Sequence, residues 1–484
     1  MTHRGLKPIF QIHGWFLIIV SILALFPAVV DAFADNPDWR TFVDTAVVGG
    51  FVGGSLILSM RGSPIRLNFR QAFLLTTSSW LLISAFGALP FVFCSLQMSF
   101  TDGFFETMSG LTTTGSTVMT GLDQLPPGIL LWRSLLQWLG GIGIIVMAVA
   151  LLPMMRVGGM QLFRSESSDQ SEKAFPRAAQ VAGMTAMVYL MLSVACAVAY
   201  GLQGMTPFEA INHAMTTIST GGYSTSDKSF GHFQGHPLQW TATIFMILGG
   251  LPFSLYVGAI QGDVRTLYAN SQIRLFLALS TAAAGVIAAW LVLKNHMGVI
   301  DAVSESAFTV VSILTTTGYA SSDYALWGAM PAGLILLISY LGACTGSTAG
   351  GIKMFRLEVM GKLVDRQLHR LIFPNVVYPL TYNRRPLPDD VLSSVSTFVA
   401  LYLASNAVLT FLLLMTGLDL TTALSGAATA IANVGPGLGD VIGPSGTFQS
   451  LPDSAKWLLS LGMLLGRLEI FTVLVVFVPT YWRA

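Results

Sequence analysis

The apolar residues of this chain neither alternate nor recur every third or fourth position; they run on. Stretches dominated by Leu, Ile, Val, Phe, Ala and Gly fall at about 9–30, 41–60, 71–96, 127–155, 178–203, 236–260, 272–296, 326–358, 390–417 and 455–480. Each reaches the ~20 residues that an α-helix needs to cross the hydrocarbon of a bilayer. A spanning strand is only about half as long, and a backbone in lipid must satisfy its polar groups internally, so the pattern predicts ten spanning helices. The first run has a second reading. Arg4 and Lys7 precede it, and Ala32-Phe33-Ala34 mimics a signal-peptide cleavage site. The run is longer than the 7–15 residues of a signal core, so it is read as a retained first helix.

Composition agrees with the pattern. Of 484 residues, 53% are hydrophobic and 10% charged, against about 25% charged in a soluble domain. That excludes a water-facing surface of normal size, and replaces the roughly three soluble domains that length suggests with one polytopic membrane domain. The net charge of +1 carries no information, but its placement does. With a cytoplasmic N-terminus, Arg40, Arg133, Lys228, Lys294 and Lys456 fall outside, Arg467 lies within the last span, and the other 19 of 25 Lys and Arg fall inside. This is a strong positive-inside signal, and it places both termini in the cytoplasm. Cys94, Cys196 and Cys344 sit in or beside apolar runs with no ligand spacing, which reads as small apolar packing rather than a disulfide or a metal site.

After the second span a unit recurs four times: helix, short amphiphilic stretch on the outer side, helix. The stretches read DGFFETMSGLTTTGST, FEAINHAMTTISTGGY, ESAFTVVSILTTTGYA and TALSGAATAIANVGPG. Their glycines, Gly115, Gly221, Gly318 and Gly435, are 106, 97 and 117 residues apart. Near-regular spacing within matched helix pairs indicates duplication, and all four units run in the same direction through the membrane. The predicted divisions are 1–68 (two helices), 69–156, 177–261, 272–358 and 388–484 (four repeats). A half-length helix must enter the membrane and return, which is tolerated only where its backbone is buried in protein or lines a cavity. Glycine there lets carbonyls point at a common axis, and rings of carbonyls can replace a cation's hydration shell.

These four loops, the ten-span plan and the last helix resemble the Trk/Ktr/HKT superfamily of potassium transporters, and the extra helix pair resembles its TrkH branch. The resemblance covers essentially the whole chain. It implies an all-α fold with four parallel helix–pore helix–helix repeats around one potassium-channel-like pore. Its filter would be Thr112, Thr113, Thr114 and Gly115; Ile218, Ser219, Thr220 and Gly221; Thr315, Thr316, Thr317 and Gly318; and Ala432, Asn433, Val434 and Gly435. Potassium would bind mainly backbone carbonyls, so Ile218 and Val434 are acceptable. Tyr319 follows Gly318 as in potassium-channel filters, whereas Ser116, Gly222 and Pro436 follow the other three. In plant relatives a serine at the first filter glycine accompanies sodium preference; Gly115 favours potassium.

The eighth span breaks at residues 342–351, where Gly342, Gly346, Gly350 and Gly351 stand among small residues. Each glycine costs a helix about 1 kcal/mol relative to alanine. By resemblance this is an intramembrane loop that obstructs the pore; close packing on a neighbouring helix is the alternative. Arg467 lies within the final span, where a charge costs at least ~2.5–3.5 kcal/mol and must face a partner or the pore. The resemblance makes it a gate acting with the loop; a buried structural ion pair is the alternative. Arg467 and Glu469, two residues apart on one helix, are not expected to pair. Asp102 and Glu106 suit the start of the first pore helix and would concentrate cations at the mouth. His213 is read as a packing or hydrogen-bonding group.

No Walker A or dinucleotide motif is present, so the chain is expected to hold no cofactor, with K+ only as cargo. The resemblance implies a homodimer in a bacterial cytoplasmic membrane, seated on a cytosolic nucleotide-binding ring of the TrkA type. The basic loop 361–386 is ordinary for a positive-inside topology and equally a docking candidate for that ring. No nucleic-acid partner is expected. A sodium- or mixed-cation-conducting relative is the alternative within the class. A membrane enzyme is the alternative outside it, but no HExxH or paired-carboxylate cluster supports one.

Overall fold

The structure, a computed structural model, describes residues 3–61, 67–150, 174–233, 235–383 and 385–483. Residues 151–155 of the fourth predicted span lie outside them, as do Arg66, Arg156, Arg164, Lys173 and Arg384 of the orientation argument. The described chain is helical except for a small hairpin in which Thr381–Tyr382 pairs with Arg385–Pro386. Two long helices, α1 (His3–Phe33) and α2 (Trp39–Ser59), pack on each other, and α1 also packs on the helices of the first repeat. The buried Asp31 of α1 accepts the Gly128 backbone N–H at 2.6 Å, so this helix is built into the fold.

Four repeats follow. The first holds α3 (Phe69–Gly87), the pore helix α4 (Phe100–Leu111) and α5 (Pro127–Ala150). The second holds α6 (Ala174–Leu202), the pore helix α7 (Pro207–Ile218) and the broken pair α8 (His236–Gly250) and α9 (Phe253–Ile260). The third holds α10 (Ser271–Asn295), the pore helix α11 (Val299–Leu314), α12 (Ala329–Ser339) and α13 (Met354–Ile372). The fourth holds α14 (Asp389–Met415), the pore helix α15 (Leu420–Ala432), α16 (Asp453–Arg467) and the short α17 (Ile470–Leu474).

The pore helices have 12, 12, 16 and 13 residues. At 1.5 Å per residue none reaches across about 30 Å of hydrocarbon. Side chains cap three of the four starts, whereas α11 follows Gly298 without one. Ser99 accepts from the Asp102 backbone N–H, Thr206 and Glu209 form a capping box, and Asp419 accepts from Thr422 N–H at 3.1 Å. Those Thr422 hydrogen bonds hold the exposed Asp419 carboxyl below the usual carboxylate range.

Each repeat's second helix leans on the next repeat's pore helix: α5 on α7, α8 on α11, α12 on α15, and α16 back on α4. The last contact closes a ring of four. It is secured by Phe104 against Trp457, with ring centroids 4.7 Å apart, and by Lys456 Nζ donating to Asp102 at 2.6 Å.

Seven described helices are long and apolar enough to span. Three of the ten expected spans are instead broken. The sixth bends by 92° between α8 and α9, where Gly249-Gly250-Leu251-Pro252 ends the first piece. Proline has no N–H to give, and it pushes the residue before it out of the helical region. The eighth opens between α12 and α13, as the glycine density predicted. The tenth bends by 112° after Arg467. Arg467 is therefore the last residue of α16 rather than a mid-helix residue, and Glu469, at φ +61°, lies outside any helix.

Candidate functional site

Each pore helix ends in an aliphatic residue, Leu111, Ile218, Leu314 or Ile431, the last one residue before the end of α15. Two residues on, the backbone turns into the left-handed region at Thr113, Thr220, Thr316 and Asn433, with φ between +52° and +58°. The next residue, Thr114, Gly221, Thr317 or Val434, returns its N–H to a carbonyl five residues back, at 2.8–3.0 Å. A positive-φ glycine follows: Gly115, Gly222, Gly318 or Gly435.

This register corrects one sequence reading. In the second repeat Gly222, not Gly221, occupies the glycine position, so the equivalent stretch is 219–222 and Ile218 belongs to the helix end. Tyr223 thereby becomes the counterpart of Tyr319, and Ser116 and Pro436 fill the same place in the other repeats. The Gly221-Gly222 pair made the choice ambiguous. The aliphatic residue four positions earlier, shared by all repeats, is the signal that resolves it.

The glycines form a closed cycle. A Cβ on Gly115 would overlap the carbonyl oxygen of Gly221, one on Gly222 that of Thr317, and one on Gly318 that of Val434. A Cβ on Gly435 would crowd the oxygen of Thr114 at 2.8 Å. Each loop thus abuts the next, and only glycine allows the approach at this φ. Four pore-helix C-termini, each carrying roughly half a negative charge, end at this ring, a field that favours a cation.

Side chains behind the ring tie repeat to repeat. Tyr319 Oη lies 2.6 Å from Thr216 Oγ1, Tyr223 Oη donates to the Glu106 carbonyl at 2.8 Å, and Ser116 Oγ donates to the Gly435 carbonyl at 2.9 Å. Gln137 Nε2 donates to the Gly221 carbonyl at 2.6 Å. Glu106 is fully buried and paired with Arg133 at 2.8 Å, so it faces the back of the loops rather than an open mouth. His213 is buried between the Glu209 carbonyl and Ser224 Oγ, at 2.9 and 3.0 Å, as a hydrogen-bonding group.

Residues 340–353 form a loop against the pore-helix side of the ring. Its ends are pinched by a bridge between Leu341 and Ile352, with Gly342 N–H donating to the Ile352 carbonyl at 2.6 Å. Thr348 Oγ1 donates to the Ile218 carbonyl at 3.1 Å and accepts from Thr220 Oγ1 at 3.1 Å. Gly350 N–H donates to Thr316 Oγ1 at 2.8 Å, and a Cβ on Gly350 would overlap the Ala432 carbonyl. The bend between α8 and α9 seats the loop: Cys344 N–H bonds the Gly250 carbonyl at 3.0 Å, and Phe253 N–H bonds the Gly346 carbonyl at 2.9 Å. Gly346 and Gly351 have φ of +84° and +63°.

Arg467 is buried and donates from Nη1 to the Thr348 carbonyl at 2.7 Å. Lys353 Nζ bonds the Ala349 carbonyl. Between them the loop leaves a cavity of about 20 Å³, room for about one water-sized particle. Glu469 pairs with Arg356 of α13 at 2.5 Å and not with Arg467, but the reason is the break in the last span rather than helical geometry. Arg356 also stacks over Phe398, 3.6 Å from its ring centroid.

The sequence pattern that defines the TrkH family, described as a cation transport protein, matches residues 40–484. The chain is 43% identical, over 100% of its own length and 98% of the relative's, to the Trk system potassium uptake protein TrkI of Halomonas elongata. It is 37% identical, over 99% of both chains, to the Trk system potassium uptake protein TrkH of Escherichia coli K12. It superposes on the crystal structure of the potassium transporter TrkH from Vibrio parahaemolyticus with a TM-score of 0.91 and 36% identity, over 99% of both chains. A multi-pass membrane transporter rather than an enzyme, this chain belongs to the TrkH family of cation transport proteins.

Proposed function

We propose that this chain carries potassium into the cell through the glycine ring, acting as a selectivity filter. The observation that carries the reading is the closed cycle in which each positive-φ glycine abuts the carbonyl before the equivalent glycine of the next repeat. Such a ring presents backbone oxygens from four sides, and four helix C-termini favour the cation electrostatically. The segments 69–156, 177–261, 272–358 and 388–484 act as the four pore modules. Glycine at all four ring positions, including Gly115, supports potassium over sodium. The relatives named as Trk system potassium uptake proteins support the same cargo.

The loop 342–351 is the gate. Its bonds to Thr220, Thr316 and the Ile218 carbonyl put it against the ring, and Arg467 holds it there. Release of the loop opens the path, and the charge of Arg467 raises the barrier for cations while the loop is seated. The protein works in the cytoplasmic membrane with both termini inside, as the basic-residue bias argues. It acts as a homodimer on a cytosolic nucleotide-binding ring, in keeping with relatives that belong to a Trk system. The test is growth rescue of a bacterium lacking potassium uptake at limiting potassium, with rubidium influx as the readout. Failure to rescue while the protein is present in the membrane, or equal rescue by Gly115→Asp, overturns the reading.

A further inference from the structure

The ring is braced unequally. In the first repeat, Glu106 stands nine residues before Gly115 and Thr117 two residues after it. Glu106 accepts from Thr117 Oγ1 at 2.9 Å and from the Val118 N–H at 3.0 Å. The equivalent positions of the second repeat, His213 and Ser224, make the neutral version of this contact at 3.0 Å. In the third and fourth repeats the corresponding residues are Thr309, whose hydroxyl has no partner among the described residues, and Gly426, which has no side chain.

Among the described residues, only the first repeat adds an ion pair here. Arg133 of α5 donates from Nε to Glu106 at 2.8 Å, from Nη1 to the Ser224 carbonyl at 3.0 Å and from Nη2 to Thr117 Oγ1 at 3.2 Å. Its guanidinium lies 4.1 Å from the centroid of the Tyr223 ring, and the Tyr223 hydroxyl reaches the carbonyls of Glu106 and Ser116, the latter at 3.2 Å. One cation therefore holds the strand just past Gly115 and the strand just past Gly222 to a single rigid fork.

We propose that Arg133 and Glu106 form a clamp that sets ion selectivity by fixing the spacing between the first and second filter loops; Arg133 is a positioning residue and touches no ion. This rests on the filter reading of the ring. Both side chains are at most 1% exposed, and together they are neutral, so they add little net field along the axis. A buried ion pair is an inefficient source of stability, because desolvation offsets its attraction. Its use is geometric. The guanidinium fork fixes two directions at once, which an ammonium cannot do. Loops held within two residues of the ring cannot draw in around a smaller cation, so sodium loses the coordination that a looser ring would give it.

The test measures 86Rb+ and 22Na+ influx into proteoliposomes containing the purified full-length protein, its Arg133→Lys and Tyr223→Phe variants, and Gly115→Ser as the filter control. Arg133→Lys keeps the charge and loses the fork. Tyr223→Phe keeps the ring and loses the hydroxyl bonds, and it carries the test alone if the lysine variant does not assemble. The expected result is a fall in the Rb+/Na+ ratio of about tenfold for Arg133→Lys, equivalent to about 1.4 kcal/mol, and a smaller fall for Tyr223→Phe. If Gly115→Ser shifts the ratio and neither clamp variant does, the clamp is overturned alone. If Gly115→Ser also leaves the ratio unchanged, the filter reading falls and the clamp with it.

Discussion

The register of the second loop can be decided by two single substitutions. Gly221→Ala and Gly222→Ala add the same methyl group to adjacent residues, but at different places in the ring. At Gly222, φ is +77° and a Cβ would overlap the Thr317 carbonyl, which belongs to the backbone of the next loop and cannot rotate away. The left-handed conformation costs alanine about 1–2 kcal/mol, and overpacking a closed contact costs about 1–3 kcal/mol. The two together open the ring by about 2–5 kcal/mol. At Gly221 the methyl would meet the end of the Gln137 side chain. That amide can turn at the expense of its bonds to the Gly221 carbonyl and the Tyr223 N–H, at 2.6 and 3.1 Å, worth about 0.5–1.5 kcal/mol each. Rubidium influx per unit of membrane-inserted protein is the assay. Gly222→Ala should match Gly318→Ala, whose place in the ring is not ambiguous and whose Cβ would meet the Val434 carbonyl in the same way, and both should fall below Gly221→Ala by about tenfold, the ratio that corresponds to about 1.4 kcal/mol. Equal loss in the two adjacent variants, or greater loss at Gly221, refutes the register.

Arg467→Ala removes the bond to the Thr348 carbonyl. Hydrogen bonds to charged groups are worth about 1.5–3 kcal/mol, so loop release and rubidium influx should rise at least about tenfold; unchanged influx sinks the gate. Arg356→Ala leaves Glu469 as a buried carboxylate without its cation, a loss of about 3–5 kcal/mol, to be read as a lower thermal midpoint of the purified protein in detergent. Asp419→Ala removes the cap of α15, at a cost of about 1 kcal/mol. The Asp419 carboxyl is held low by Thr422. Its contribution is therefore fully present above the ordinary carboxylate value of about 3.9 and disappears as pH falls through the lower folded value. Melting curves at pH 3 and pH 7 should show the wild-type advantage over Asp419→Ala at pH 7 narrowing at pH 3.

The spans were legible because hydrocarbon imposes one rule on every residue within it. The repeats were legible because duplication left TTTG in two loops and close variants in the others. What the sequence hid was local to the sixth and tenth spans and the second loop. The bend at Pro252 carried a signal in Gly249-Gly250-Leu251-Pro252 that length alone concealed. The break after Arg467 carried none of that kind. Gly466 lies against the Ile431 carbonyl, where a Cβ would overlap, and Glu469 is drawn to Arg356. Neither partner is near in sequence.

The sequence by itself determined the membrane class, the four-unit plan, the glycine loops of three repeats and the placement of a loop at 342–351. These follow from hydropathy, spacing and glycine density, which act along the chain. Tertiary structure decided which of two adjacent glycines enters the ring, that Glu106 binds Arg133 instead of facing a mouth, and that Arg467 reaches the Thr348 carbonyl while Glu469 turns to Arg356. Each of these is a choice of partner for a buried polar group. Such a group must be satisfied by whatever the closing of the ring brings within about 3 Å, and the ring closes between residues as much as 319 positions apart.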